Sequence, residues 1–500
     1  MNNFSRERFK TGEEYSRALF FLSPFILLFS ISLFQVLNLT LFQGDKYQTI
    51  AESNRIYQKP ISPVRGFIYD RNGTLLAENI VQRDLYVTPA YIEDSAETIL
   101  KLSNLLDVPY ELLDENFSRG VKKVKKFDSF PLVKALNEEQ IAKAKVNLDS
   151  ISGIEVKATL KRYVLHEETL AHVLGYVGDI SSDDIRRDKL LAELQNTQIG
   201  KTGIEKEFDY VLRGKPGIQT QERDVKGKLV RILDTQGAED GKDIYLTIDQ
   251  KLQEHLFKLF ENRRGALVAL EPKTGLVRAL ISSPSFNPNI LNSIVDTDEV
   301  ESLFSNKESP IFNRAISGQY PPASTLKPFV GLAAIENEVI SWDKTIKDDG
   351  EFYVEGDPRP YRGWKENGHG RVDMRKAIAE SSDVYFYTIA FDLTLAGIRP
   401  MLDSFGFGKK TGLTDFEANG LLPDKKWKLG YKGDFWFKGD TINLGIGQGY
   451  ILATPLQLAM AYSGLANKGV IYQPQFIQPE NEKSFEPKKI AEIQLSDNKA

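Results

Sequence analysis

The chain has 500 residues, 41% hydrophobic and 27% charged, with a formal net charge of −5. At roughly 150 residues per domain that length makes two to four folded domains, and the mild negative balance excludes nucleic-acid binding as the main role. There is no cysteine, which excludes disulfides, thiolate-bound zinc and thiol catalysis and suits an oxidising compartment; the four histidines (His166, His172, His255 and His369) lack metal-ligand spacing, so neither metal nor cofactor is expected.

The first element is an anchor. No charged residue lies between Ala18 and Gln43, and ALFFLSPFILLFSISLFQVLNLTLF is mostly apolar. At about 1.5 Å per residue it is long enough to cross the ~30 Å hydrocarbon core of a bilayer. A signal peptide has an apolar region of only about 7–15 residues and ends in a small-residue cleavage site. Here the run is longer and LFQGDKY follows it, so residues 18–42 are predicted to be an uncleaved transmembrane helix. Arg6, Arg8, Lys10 and Arg17 precede it, and the positive-inside rule puts residues 1–17 in the cytoplasm and the bulk of the chain outside.

Residues 43–243 read as mixed short strands and helices. RGFIYDRNGTLLAEN (Arg65–Asn79) is hairpin chemistry around Asn72-Gly73. Short helices are predicted over Glu97–Leu106 and Asn137–Val146. The lysines at 122, 123, 125 and 126 form a solvated face, and Gly214–Asp243 is extended strand and connection. A new domain, 244–500, opens with a strand to Ile248 and a helix capped by Asp249. Two strands follow around a Lys273-Thr274-Gly275 turn, then helices over Ser324–Ile335 and Met374–Leu395. An antiparallel sheet flanked by helices, an α+β arrangement, fits that order.

Tyr320–Glu336 (YPPASTLKPFVGLAAIE) carries Ser-x-x-Lys at Ser324 and Lys327. On a helix, residues three apart share a face, so the amine can reach the hydroxyl. A partly desolvated lysine loses its proton near neutral pH and acts as a base, so acyl transfer needs no histidine. The bare pattern is weak, since about two hits are expected by chance in a chain of this length. It occurs at Ser324/Lys327, Ser341/Lys344 and Ser496/Lys499, but only Ser324 follows a Pro-Pro turn and opens an apolar run able to bury the lysine stem. Downstream, Ser381-Ser382-Asp383 offers a hydroxyl and a carboxylate at i and i+2. Alone such a pair is an ordinary N-cap; beside Ser324 it is a candidate proton relay.

Ser-x-x-Lys, Ser-x-Asn or Ser-x-Asp, and Lys-Thr-Gly form the set of penicillin-binding proteins and serine β-lactamases. Lys-Thr-Gly stands at Lys201–Gly203, Lys273–Gly275 and Lys410–Gly412, but two precede Ser324 and the third lies in a glycine-flanked loop, so all three are taken as turns. With RGFIYDRNGTLLAEN, GKTGIEKEFDYVLRGKPG (Gly200–Gly217), LTIDQKLQ, GQYPPASTLKP, SSD and Gly439–Gly469, the chain resembles class B penicillin-binding proteins from about residue 18 to 479. Asp383, YRGWKENGHG (Tyr361–Gly370) and WFKGDTINLGIGQGY are similar to the elongation, or rod-shape, subgroup.

The resemblance implies a pedestal, or dimerisation, domain over 43–243 and a serine β-lactamase-like transpeptidase domain over 244–500. It also implies a D,D-transpeptidase in which Ser324 attacks the penultimate D-Ala of a D-Ala-D-Ala stem peptide, Lys327 is the base, Ser381 relays the proton and Asp383 supports the network. β-Lactams would acylate Ser324. A SEDS-family (RodA-type) glycan polymerase and other elongation-complex membrane proteins would be partners, with the enzyme single-pass in the bacterial cytoplasmic membrane and its bulk in the periplasm. In the family the catalytic Lys-Thr-Gly strand comes later than Ala500, so the transpeptidase domain is expected to be incomplete and the natural chain to continue. Two alternatives remain: a non-catalytic scaffold of the same fold, and a β-lactam sensor or class D β-lactamase.

Overall fold

A computed structural model of the chain describes residues 4–38, 55–124, 126–147, 151–189, 191, 194, 198–224, 229–261, 263–292, 297–479 and 485–495. It forms two compact units, Met1–Ile61 with Pro216–Ala238, and Ser62–Lys215 with Glu239–Ala500.

The first unit holds the helix Phe4–Leu37, whose stretch Phe20–Leu37 is long and apolar enough to cross a membrane. Its apolar side chains have no protein core to enter: Phe20, Phe21, Phe25 and Phe29 are all exposed. The rest of the predicted anchor, 39–42, lies outside the described residues. The same unit contains an antiparallel sheet in which Gly217–Arg223 is the central strand, between Ile56–Ile61 and Leu229–Gln236. The extended strands predicted within Gly214–Asp243 are thus Gly217–Arg223 and Leu229–Gln236.

In the second unit the hairpin predicted at Asn72-Gly73 joins Ile68–Tyr69 to Leu75–Val87. Asp70 makes the turn. Its buried carboxylate accepts the N–H groups of Asn72 and Thr74, both at 2.8 Å, and Gly73 takes the positive φ (+81°) that follows. The strand Leu75–Val87 then pairs along its length with Ile154–Val164, so the strands here are longer than the short ones predicted. Helix Ser95–Leu106 is capped by Asp94, and Ile99, Leu102 and Leu106 form its buried stripe. Lys122 and Lys126 are exposed, as the solvated face requires, and Lys125 lies outside the described residues. Two distant motifs are tied by buried charge. Glu205, fully buried, pairs with Arg65 at 2.7 Å and with Arg162 at 2.5 Å.

Beyond residue 243, Asp249 caps the helix Gln250–Lys258 as predicted, accepting from Leu252 N–H. The strands Gly265–Leu270 and Val277–Ser283 pair antiparallel around the Lys273–Gly275 turn. Helix Gln250–Lys258 packs on the second strand and helix Pro455–Ala466 on the first. The largest core cluster joins Lys327–Glu336, Asp383–Ser404 and Pro455–Ala466, with Phe329 wedged edge-on against Phe405, Phe407 and Tyr462. Two predicted helices differ in detail. Ser324 belongs to a 3₁₀ turn, Ala323–Leu326, and the α-helix starts at Lys327. The helix predicted over Met374–Leu395 breaks after Ala379 and resumes as Asp383–Ser404, with a kink where Thr394 has φ +60°. Both departures fall at the candidate site.

Candidate active site

In a 3₁₀ turn residues i and i+3 eclipse, which stands Lys327 above Ser324. The apolar run that follows (Phe329, Val330, Ala333 and Ala334, all buried) draws the lysine stem inward until Lys327 is only 1% exposed. Burial pushes its pKa below the ordinary lysine value, and the adjoining Asp383 carboxylate opposes that shift only in part.

The break at 380–382 is what turns the Ser-x-Asp element toward this amine. Ser382 takes the N-cap role, its hydroxyl accepting from Tyr385 N–H at 3.2 Å. Its two neighbours are thereby left for the cleft. Lys327 Nζ donates to Ser381 O at 2.8 Å, to Ser381 Oγ at 3.0 Å and to Asp383 Oδ1 at 2.7 Å. Ser381 Oγ in turn lies 2.8 Å from Ser324 Oγ. The four predicted residues therefore meet in one network. One expectation is corrected: Lys327 does not bond Ser324 directly, because its three donors are engaged and the Ser381 hydroxyl stands between them.

Backbone strain marks the same spot. Ala323 (φ +51°) and Ser381 (φ +56°) are left-handed without being glycine, a conformation costing about 1 kcal/mol or more and held only where the surroundings impose it. Part of that imposition is Gly447. Its carbonyl accepts Ala323 N–H at 2.9 Å, and a Cβ at 447 would lie 2.1 Å from Ala323 O, so no side chain fits there.

Ser324 opens on a cleft of about 400 Å³ lined by Ala323, Trp364, Ser381, Asp383, Ile446 and Gln448. The residues the sequence did not single out come from YRGWKENGHG and GIGQG, runs marked only by resemblance. Trp364 clamps the Ser-x-Asp turn twice: its backbone N–H donates to Asp383 Oδ2 at 3.0 Å and its indole N–H to Ser381 O at 3.1 Å. Ser382 is held from behind, donating to Asp348 Oδ2 at 2.6 Å, and His369 Nδ1 lies 2.7 Å from the same oxygen. Burial alone would raise the Asp348 pKa, but Ser382, His369 and Gly350 N–H hold it below the usual carboxylate range. Thus Ser381, Ser382 and Asp383 are each anchored by the 348–369 segment.

The rejected motifs lie elsewhere. Ser341 and Lys344 are exposed on a surface turn. Ser496 and Lys499 lie outside the described residues. Lys201 pairs with Asp184, and Lys273–Gly275 is the strand turn. Lys410–Gly412 wraps Glu417, which accepts from Thr411 Oγ1 and Gly412 N, both at 2.7 Å. None of the nine residues lines the cleft.

Residues 60–246 match the penicillin-binding protein dimerisation domain and residues 265–500 the penicillin-binding protein transpeptidase domain. The chain is 38% identical over 442 residues to peptidoglycan D,D-transpeptidase MrdA of Acinetobacter baumannii, covering 88% of this chain and 66% of the relative. With MrdA of Haemophilus influenzae identity is 37% (91% of this chain, 70% of the relative), and with that of Escherichia coli K12 it is 36% (92% and 74%). The chain thus spans about two thirds to three quarters of these relatives' length. Among solved structures, PBP2 of Helicobacter pylori in complex with MreC matches at 30% identity and TM-score 0.78, covering 88% of this chain and 81% of that one. Pseudomonas aeruginosa PBP2 in complex with WCK 5153 matches at 30% identity and TM-score 0.65, covering 88% and 77%.

Proposed function

The chain belongs to the MrdA (PBP2) type of peptidoglycan D,D-transpeptidases among the penicillin-binding proteins, and from that membership we propose that Ser324 is its acylating nucleophile, with Lys327 as base and Ser381 as relay. The observation that carries the assignment is the Ser381 hydroxyl, within hydrogen-bond reach of both Ser324 Oγ and Lys327 Nζ. With Lys327 neutral, the Ser381 O–H turns toward the amine and accepts the proton of Ser324, since hydroxyl hydrogens rotate freely. Ser324 Oγ then bonds to the penultimate D-Ala carbonyl carbon of a stem peptide. The tetrahedral intermediate collapses by breaking the C–N bond, and D-Ala leaves with the proton returned from Lys327 through Ser381. An amine of a neighbouring stem attacks the ester along the reverse path and forms the cross-link. Asp383 keeps the lysine placed between turns, and Ser324 N–H offers one donor to the developing oxyanion.

Residues 43–243 are assigned as the pedestal and 244–500 as the transpeptidase domain, a division supported by the matches over 60–246 and 265–500. The apolar helix anchors the protein in the cytoplasmic membrane; Arg6, Arg8, Lys10 and Arg17 place its N-terminus inside and the bulk in the periplasm. By analogy with the Helicobacter complex, an MreC-type protein is a partner, as is a RodA-type polymerase from the family resemblance. Labelling with a fluorescent penicillin tests the centre of the proposal. Stable label that disappears in Ser324→Ala supports it. Label that survives Ser324→Ala overturns the nucleophile, rapid release indicates a lactamase, and no label in the parent protein indicates a scaffold.

A further inference from the structure

One surface beside the cleft has chemistry the acylation steps leave unused. Helix Lys425–Lys432 (KKWKLGYK) and the turn after it are rich in both aromatic and basic residues. Asp424 caps the helix through Trp427 N–H at 2.7 Å, and Trp427 stacks on Tyr431, ring centroids 5.3 Å apart and planes 17° from parallel. Tyr450 closes on Trp427 at 5.4 Å. Tyr431, Phe435 and Phe437 are more than half exposed.

This is a built surface, not a loose loop. Lys428, 2% exposed, pins it from below: its amine pairs with Asp440 at 2.6 Å and lies under the Phe437 ring at 4.5 Å. Asp440 in turn accepts Phe437 N–H at 2.7 Å. Lys425, Lys426, Lys432 and Lys438 remain exposed around the rings. The surface is joined to the cleft along the chain: Tyr450 is two residues past Gln448 and the helix Lys438–Gly445 leads into Ile446, and both Gln448 and Ile446 line the cleft.

We propose that the Trp427–Tyr431–Tyr450 cluster is a platform for the sugar backbone of the peptidoglycan strand, and that the lysines around it attract the carboxylates of that strand's stem peptides. Trp427 and Tyr450 are half-buried and support Tyr431, which is 72% exposed and offers the side of its ring not stacked on Trp427 to the apolar C–H face of a pyranose, while the sugar hydroxyls stay in water. Charge agrees, with cationic side chains on the protein and free carboxylates on the stems. The inference rests on the transpeptidase reading, for which a strand must lie alongside the cleft while its stem enters.

Calorimetric titration of the full-length protein in detergent with a β-1,4-linked N-acetylglucosamine tetramer tests the platform, with penicillin acylation measured on the same samples. Trp427→Ala and Tyr431→Ala should each weaken saccharide binding by about tenfold, the scale of one well-placed aromatic contact, while acylation is retained. Tyr210→Ala, an exposed aromatic in the pedestal, should leave binding unchanged. No saccharide binding by the parent protein, or equal binding by both platform variants, overturns the inference. Saccharide binding without acylation retains the platform and overturns the catalytic assignment instead. An N-acetylmuramyl dipeptide as second probe separates charge from stacking: Lys425→Gln with Lys426→Gln should weaken this anionic ligand and spare the neutral tetramer. Equal effects on both probes reject the role given to the lysines.

Discussion

Two of the molecule's buried lysines, Lys327 and Lys161, lie in different regions and are buried to different ends. In the cleft, Lys327 has three hydrogen-bond acceptors, one of them a carboxylate. On the long strand pair of the pedestal, Lys161 is 8% exposed and its amine has no partner among the described residues. Burial lowers both, Lys161 to about 8, with Lys134 adding to the fall and Asp84 and Asp179 resisting it. A depressed pKa is therefore no mark of catalysis by itself. What separates Lys327 is direction: its partners aim the amine along a hydrogen-bonded path that ends at the exposed hydroxyl of Ser324.

The largest test of that contrast exchanges each lysine for arginine, which keeps the charge but does not lose a proton near neutral pH. Lys327→Arg should slow penicillin acylation by at least ~10²-fold, the scale of a positioned acid-base group, and Lys161→Arg should leave it unchanged. Comparable losses from both would erase the distinction.

A second test uses pH. If Lys327 is the base we propose, it must be neutral to act, and the acylation rate should rise with pH through a midpoint below the ordinary lysine value. Asp383 favours the charged form. Its removal in Asp383→Asn should therefore move the midpoint down; an upward move would mean the carboxylate is not what opposes burial.

Smaller effects come from what holds the partners in place. Trp364→Phe deletes the indole hydrogen bond to Ser381 O and should slow acylation about five- to tenfold, equivalent to one hydrogen bond, with thermal stability little changed. A rate equal to the parent's would remove Trp364 from the positioning set.

The smallest effect belongs to Lys161. Between pH 8 and the unfolded value near 10.5 the unfolded chain binds more protons than the folded one, so stability rises with pH across that window. Lys161→Met should abolish this rise and add about 1 kcal/mol of stability at pH 7 by removing a buried charge that has no hydrogen-bond partner. Acylation should not change. A destabilised Met variant would show that attraction to Asp84 and Asp179 outweighs the cost of burying the amine.

What the sequence revealed divides along the same lines. Ser324, Lys327, Ser381 and Asp383 were legible because helical spacing and an apolar flank are local properties of the chain. So were the Asn72-Gly73 hairpin and the Asp249 cap. The 3₁₀ start at Ala323 and the break at 380–382 were not, because nothing local distinguishes Ala323 or Ser381 as left-handed; contacts from Gly447 and from the 348–369 segment impose it. Trp364, Asp348 and Gln448 escaped for the same reason, since each enters the site from another part of the chain. His369, set aside for want of ligand spacing, finds a carboxylate 21 residues upstream. Glu205 was visible only as one letter of a motif until Arg65 and Arg162 gave it a counter-charge.

The order of the first unit's sheet carries a consequence for how the chain is made. Among the described residues strand Ile56–Ile61 has one partner, Gly217–Arg223, so during synthesis it waits for about 155 residues, roughly 10–30 s at cellular elongation rates. Through that interval both of its edges are bare, the condition under which extended segments join one another intermolecularly. Its sequence, IYQKPI, carries Lys59 and Pro60 side by side, a charge that repels and a residue with no N–H to offer a foreign strand. Proline is tolerated there in the finished sheet because the strand lies at its edge. The same two residues thus protect a nascent chain long before they belong to a folded one.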